Sequence, residues 1–500
     1  MHTVIKIFKI ALGLWISTLL GYGQKQQKTV KELHGIENEI KAFMATYQTV
    51  GLSVAVVKND DLIYAKGFGY RNLEAQLPVT ENTLFPIASM TKAFSGALLG
   101  VLVDQKKLTL KDKPSLYVPN FEFYSPTMNQ LITIEDLLSH KSGIGGQGVS
   151  QEMFPTHDKL EMVQRLQYLK PQAEIKNSWK YSNIGYTLVG TIAEQVTGES
   201  WDKNIRENIL LPLEMYRSCT SLKKLQKDQN FALGYGMLKG AIKTVPYQKY
   251  YAFTPAGALK SSAEEMSHWM RVWLNKGKYK EKQVIPKFYI QQASRPQNIK
   301  YNEDYTKESY LFAEGFGWRI RSWNGHYRLR HGGNTTGFSC VTELFPMEGL
   351  GVVVLCNQQS SILPYIISDI ISRKMLHLPS EREYPTLVTD IYTPTKDSPL
   401  NKDKMPTVAL KAYEGTYHAK GFGDINIVKE KGKLSAQFPS FTFTLGHVNY
   451  DSFYLKGNED FDKSFDPEFR VSFEKNEKGE ILLFKIHAQK EPIVFYRKSN

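Results

Sequence analysis

The chain has 500 residues, 42% of them hydrophobic and 23% charged, and a formal net charge of +13. That length exceeds one ordinary domain and predicts two or three, and the composition excludes disorder as a global description. The basic residues are mixed with acids along the chain, as in Lys223 to Asp228 and Glu474 to Glu480. With no zinc finger, RNP-type strand or arginine-rich arm, the positive charge speaks for solubility, and nucleic acid is not an expected partner.

The N-terminus reads as a targeting segment. His2, Lys6 and Lys9 form a positive region, Ile10 to Leu20 is a largely apolar run of 11 residues, and Gly21 and Gly23 stand at −3 and −1 of a cut before Gln24. A signal peptide over 1–23 is therefore expected, with export to the periplasm or the medium. A retained anchor is the alternative, but the run falls short of the roughly 20 apolar residues that span a bilayer. No cysteine follows the run for a lipid anchor, and no second run of spanning length exists, so no stable membrane span is expected after cleavage.

Residues 24–379 are expected to form the first domain. Ser53 to Lys58 and Leu62 to Lys66 read as a hairpin about Asn59-Asp60-Asp61. Helical patterns with Gly and Pro punctuation dominate to about residue 275. Strand patterns return at Phe316 to Arg321, Tyr327 to Arg330, Ser339 to Phe345 and Leu350 to Cys356, and a helix follows from about Ile362 to Met375. Strands at both ends and helices between them predict an α/β (α+β) domain: one antiparallel sheet flanked by helices, with an inserted all-helical subdomain. Cys340 and Cys356 flank the turn near Met347 and could face each other; with Cys219, buried free thiols are the preferred reading. Residues 380–406, with Pro385, Pro394, Pro399 and Pro406, read as a linker. Residues 407–500, with short strand-like runs between turn signals, predict a small β-barrel or sandwich.

Three segments carry chemistry. In Phe85-Pro-Ile-Ala-Ser89-Met-Thr-Lys92-Ala-Phe-Ser-Gly96-Ala-Leu-Leu-Gly100, Ser89 and Lys92 fall on one face of a helix that is apolar on nearly all sides, hence buried. A serine near a helix N-terminus gains from free N–H groups and the dipole. Burial disfavours the charged form of Lys92 and makes it a candidate base. A snorkelling lysine beside an incidental serine is the bland alternative. Tyr181-Ser-Asn183 precedes a helix that Gly198 stops; Tyr181 could pass protons near Lys92 and Asn183 could hold Lys92 and a substrate carbonyl, against the alternative of a packed tyrosine and an N-cap at Ser182 or Asn183. In Arg330-His331-Gly332-Gly333-Asn334, adjacent glycines in a strand pattern suit a backbone that something approaches closely, or else a bulge.

Ser-x-x-Lys, Tyr-x-Asn and His-Gly-Gly in this order resemble the class C β-lactamase and penicillin-binding-protein superfamily. The resemblance runs from about Ile36 to Leu376. It includes Thr133-Ile-Glu-Asp-Leu-Leu-Ser-His-Lys-Ser-Gly143, Pro255-Ala-Gly257, Gly315-Phe-Gly-Trp318 and Gly351-Val-Val-Val-Leu-Cys-Asn357. From Tyr413-Glu-Gly-Thr-Tyr417 onward the chain resembles the small lipocalin-like domain appended to some of these hydrolases. The resemblance implies that Ser89 attacks a carbonyl, that Lys92 and Tyr181 share general-base and general-acid work, and that Asn183, His331, Gly332, Gly333, Asn334 and Gln147 contact substrate. It also implies an oxyanion hole of the Ser89 and Asn334 N–H groups. His331 stands where true β-lactamases commonly carry lysine, which turns the expectation toward a peptidase on D-amino-acid-containing peptides, or an esterase. A β-lactamase is the alternative; a penicillin-binding or sensor protein without turnover is another. The expected partners are a small peptide, ester or β-lactam, with oligomer contacts through the C-terminal domain. No metal or cofactor is expected. His140 and His268 read as packing or helix-capping residues, and Ser262-Ala-Glu-Glu265 as a capping box.

Overall fold

The computed structural model describes residues 30–145, 153–238, 240–300, 306–379, 383–385, 404–457, 469–488 and 491–499. The N-terminal segment, Gln147 and most of 380–406 lie outside them.

The first structural unit is built on a nine-stranded antiparallel sheet. Its central strands are Gly51–Lys58 and Leu350–Cys356, paired from Leu52↔Cys356 to Lys58↔Leu350. Both are buried along nearly their whole length, because helices cover both faces of the sheet. The period of two sorts their side chains. Val54, Val56, Val352 and Val354 pack with helices Ile36–Thr46 and Leu363–Met375 on one face. Ala55, Val57, Val353 and Leu355 pack with helices Thr91–Asp104 and Ala263–Leu274 on the other. The Asn59-Asp60 turn has both residues at positive φ, 48° and 70°, as a two-residue hairpin requires.

On the other side of Leu350–Cys356 the sheet continues through Phe338–Phe345, His326–Thr335 and Arg319–Trp323 to the short strands Phe312–Glu314 and Asn298–Ile299. The last two have no sequence pattern of their own; edge pairing alone defines them. Between Asp61–Asn72 and this half lies the inserted helical region, with helix Asn183–Thr197 at its centre. It also carries one hairpin, Gly234–Leu238 with Ala241–Val245.

Cys340 pairs with Leu355 and Cys356 with Ser339. That one-residue offset sends the two thiols to opposite faces of the sheet, so all three cysteines are free and buried.

The C-terminal unit is a closed barrel of eight consecutive strands from Gly415–Ala419 to Ile493–Arg497, the first pairing with the last. Aromatic side chains fill its core, among them Tyr413, Tyr417, Phe473, Phe484 and Phe495. Phe154, from the helical region, completes that core. Its ring lies 5.5 Å from Phe438, 5.6 Å from Phe422 and 5.9 Å from Phe495. Among the described residues no helix is long and apolar enough to cross a membrane.

Candidate active site

Ser89 sits in the 3-10 turn Ala88–Met90, which runs directly into helix Thr91–Asp104. The preceding Phe85–Pro86 is a short strand paired with Lys260–Ser261, so the chain enters the turn from a fixed direction. Ala88 takes φ +47°, a left-handed conformation unusual for a residue with a Cβ. The surroundings over-determine it: Ile87 N–H donates to Leu259 O at 3.0 Å, and Leu259 N–H to Thr91 Oγ1 at 3.1 Å.

Eleven of the helix's 14 residues are buried, and Lys92 is fully enclosed. The glycines on its face admit Tyr289: a Cβ at Gly100 would lie 2.3 Å from Tyr289 Cγ. Lys92 Nζ donates to Ala256 O at 2.8 Å and to Ser89 Oγ at 3.2 Å. Ala256 lies in helix Thr254–Gly257, so the carbonyl that aims the lysine is a backbone group invisible to residue-type reasoning.

Tyr181 comes from the segment before helix Asn183–Thr197, with its ring centroid 4.7 Å from Lys92 Nζ. Ser182 caps that helix by accepting Gly185 N–H at 3.1 Å, and Gly198 stops it at φ +74°. Asn183, half-buried, is its first residue. The capping reading and the catalytic reading of this segment therefore coexist.

His140 does more than the packing and capping assigned to it. Ser182 N–H donates to its Nδ1 at 3.2 Å, Lys180 N–H donates to its carbonyl at 2.9 Å, and its ring lies 4.7 Å from that of Tyr181. Burial first, then the neighbouring cation of Lys92, holds it well below its ordinary pKa, so it stays neutral with Nδ1 as acceptor. The Leu-Ser-His-Lys-Ser-Gly stretch was visible in the sequence; its partner 42 residues away was not.

The third wall is the strand His326–Thr335, bound to Phe338–Phe345 through His331↔Thr342, Gly332↔Val341, Gly333↔Cys340 and Asn334↔Ser339. Gly333 is required by close approach, since a Cβ there would come within 2.2 Å of Ile87 O. Gly332 faces the opposite side, where Tyr365 Oη occupies the space of a Cβ. Asn334 is exposed at the strand's end. His331 is 6% exposed, and its Nδ1–H donates to Gly332 O at 2.7 Å. Burial, then Arg319 and Lys92, push its pKa down to about 3. It is neutral, with Nε2 left as an acceptor, and cannot replace a lysine's charge.

Two cations that sequence reasoning passed over stand beside this wall. Arg319 Nε lies 3.5 Å and Lys300 Nζ 4.0 Å from the buried Glu314, and Lys300 Nζ sits 3.9 Å over the Trp179 ring. The structure thus brings Ser89, Lys92, Tyr181, His331 and Gly333 together; Asn183 follows Tyr181 at the start of its helix, Asn334 ends the strand, and Gln147 lies outside the described residues. His268 caps elsewhere, with Nδ1 2.9 Å from Leu213 O. The capping box is half formed: Ser262 accepts Glu265 N–H, but the Glu265 carboxylate turns to Arg217 N–H and the Ser218 hydroxyl. Among the described residues no cluster of His, Cys, Asp and Glu could hold a metal ion.

A β-lactamase family model matches residues 36–366, and a domain of unknown function (DUF3471) matches 400–497. Protein flp of Staphylococcus aureus (strain COL) is 30% identical over 336 residues, 65% of this chain and 63% of that protein, so the match spans less than two thirds of that relative's length. The unguisins hydrolase ungD of Aspergillus violaceofuscus is 24% identical over 470 residues, 83% of this chain and 82% of that protein. The octameric penicillin-binding protein homologue of Pyrococcus abyssi shares the fold with TM-score 0.63 at 24% identity, over 93% of this chain and 99% of that one. The model match envelops every element that positions Ser89, and the chain belongs to the β-lactamase family of serine hydrolases.

Proposed function

We propose that this protein is an exported hydrolase that forms an acyl-enzyme on Ser89, acting on D-amino-acid-containing peptides or on esters. The observation that carries the reading is the buried Lys92 Nζ, 3.2 Å from Ser89 Oγ and fixed from behind by Ala256 O. With one N–H engaged by that carbonyl, the amine in its neutral form can turn its lone pair to the Ser89 hydroxyl. The hydroxyl proton passes to Nζ as Oγ adds to the substrate carbonyl. The resulting oxyanion is received by the Ser89 and Asn334 N–H groups. Collapse breaks the scissile bond, and the leaving amine or alkoxide takes its proton from the Lys92–Tyr181 pair. Water then adds to the acyl carbon with the same groups as base, releasing the acid and restoring Ser89.

Asn183 and the His331–Asn334 strand position the substrate. Neutral His331 offers an acceptor, and Arg319 and Lys300 supply the positive potential for an anionic substrate group. The name of one relative, a hydrolase of unguisins, supports hydrolysis, and a protein of the same fold was solved with D-Leu, a D-amino acid. The N-terminal segment supports export, and the octameric fold relative supports assembly into an oligomer.

Intact-mass spectrometry of the mature protein with a fluorophosphonate and, separately, a penicillin tests the reading. An adduct on wild type, absent from Ser89→Ala and mapped to the Ser89 peptide, is expected. Equal labelling of Ser89→Ala, or no adduct on folded wild type, overturns the mechanism. A penicilloyl adduct that persists without hydrolysis of any ester or peptide favours a binding protein, and rapid penicillin turnover favours a β-lactamase.

A further inference from the structure

A helix of one turn cannot satisfy all of its own carbonyls. In Thr254–Gly257, Thr254 O accepts the Ala258 N–H at 3.0 Å, which closes the turn. The next two carbonyls are left over, because the chain leaves the helix for strand Lys260–Ser261 and takes the following N–H groups with it. Leu259 N–H donates to Thr91 Oγ1 at 3.1 Å, and Lys260 N–H to Cys219 O at 2.7 Å.

Side chains of helix Thr91–Asp104 serve both leftover carbonyls. Lys92 Nζ donates to Ala256 O at 2.8 Å, and the Ser95 hydroxyl donates to Pro255 O at 2.6 Å. Lys92 and Ser95 stand three residues apart, hence on one face of their helix, and the two carbonyls are adjacent. The acceptor that aims Lys92 is therefore placed by the bond beside it.

Ser95 is itself oriented. Trp201 Nε1–H donates to its Oγ at 3.1 Å, which turns the hydroxyl proton toward Pro255 O. Both side chains are buried. Trp201 opens helix Trp201–Ile205, and its main-chain N–H donates to Glu194 Oε1 at 2.7 Å. Pro255 has no N–H, so its carbonyl is its one main-chain hydrogen-bonding group. Its ring lies against Gly190, where a Cβ would come within 2.2 Å of Pro255 Cγ and 3.3 Å of Trp201 Cδ1. Three helices thus converge on the residue before Ala256. Without the Ser95 hydroxyl, two buried polar groups lose their partner at once.

We propose that Ser95, oriented by Trp201, is a positioning residue for acylation: on the reading of Lys92 as the base, it holds helix Thr254–Gly257 where Ala256 O directs the Lys92 amine at Ser89.

The test is the rate of Ser89 labelling by a fluorophosphonate in the full-chain protein, followed by intact mass, in Ser95→Thr and Ser95→Val, each alone and with Lys92→Met. Thr and Val have nearly the same shape, so their difference reads the hydroxyl. Ser95→Thr should label within about threefold of wild type, and Ser95→Val about tenfold or more slower. In Lys92→Met, already slow, Ser95→Val should change the residual rate by less than about twofold, because its effect passes through the amine. If either variant does not fold, Ser95→Ala, which adds no volume, is compared with wild type under the same criteria. Equal rates with and without the hydroxyl, or the full loss recurring in the Lys92→Met background, overturn the proposal. Labelling of Lys92→Met at the wild-type rate overturns the base reading instead, and the role of Ser95 with it.

Discussion

Lys92 Nζ reaches Ala256 O and Ser89 Oγ at once, 2.8 Å and 3.2 Å away, from a side chain with no exposed surface. A main-chain acceptor thus fixes the lysine with its amine in reach of the hydroxyl. Lys92→Met keeps the volume and removes the amine. It should slow Ser89 labelling by about 10²–10⁴-fold, the usual weight of a general base, while leaving the melting temperature unchanged or raised. Time-resolved intact-mass labelling beside a thermal melt checks both halves.

Gly333→Ala is expected to be worse than its one methyl suggests. The added carbon would meet Ile87 O, a backbone atom that cannot swing away and that belongs to the turn presenting Ser89. The strand or the turn must move, and a shift near 1 Å costs about 10²-fold in a positioned reaction. A fall in kcat/KM of that order, with circular dichroism unchanged, is the expected result; wild-type turnover would show that the strand tolerates displacement.

His140 should behave as a positioning residue. Its Nδ1 accepts the Ser182 N–H, and its ring backs that of Tyr181. His140→Leu strands a buried N–H at a cost of about 1–3 kcal/mol and loosens Tyr181. His140→Asn returns an acceptor near the same place. Leu should lower kcat more than it raises KM, and Asn should recover much of the loss. Identical rates in both variants would reduce His140 to filler.

The two site histidines tie stability to pH. In the unfolded chain each titrates near about 6.5, whereas burial keeps the folded values lower, His331 at about 3. Between those values the unfolded state binds protons that the folded state refuses. Stability present above about pH 6.5 is therefore lost as pH falls, by up to about 1.4 kcal/mol per unit for each histidine. Urea midpoints at pH 7, 6 and 5 should decline, and His331→Gln should flatten the decline by roughly one proton's slope.

Phe154 belongs to the helical region by chain position and to the barrel by packing. Phe154→Ala should cost about 3 kcal/mol or more, drawn from the barrel core. Hydrogen exchange should report it as faster opening of Gly415–Ala419 and Ile493–Arg497, with the central sheet strands less affected.

Periodicity and local chemistry made much of this protein legible from sequence. The alternation of the central strands, the all-apolar helix around Lys92, the cap at Ser182 and the glycine stop at Gly198 are signals written within a few residues. So were Ser89, Lys92, Tyr181 and the His-Gly-Gly strand as candidates, because their spacing survives without coordinates. The partners that make them a site are long-range or carry no side-chain signature. Ala256 O is a main-chain atom 164 residues from Lys92. Glu314, Lys300 and Arg319 become neighbours only through strand order. The single-residue register that separates Cys340 from Cys356 is likewise set by pairing across the whole sheet. Sequence determined which groups the protein has and on which local element each rides; only tertiary packing decided which of them meet, because burial and distance are properties of the assembled layers.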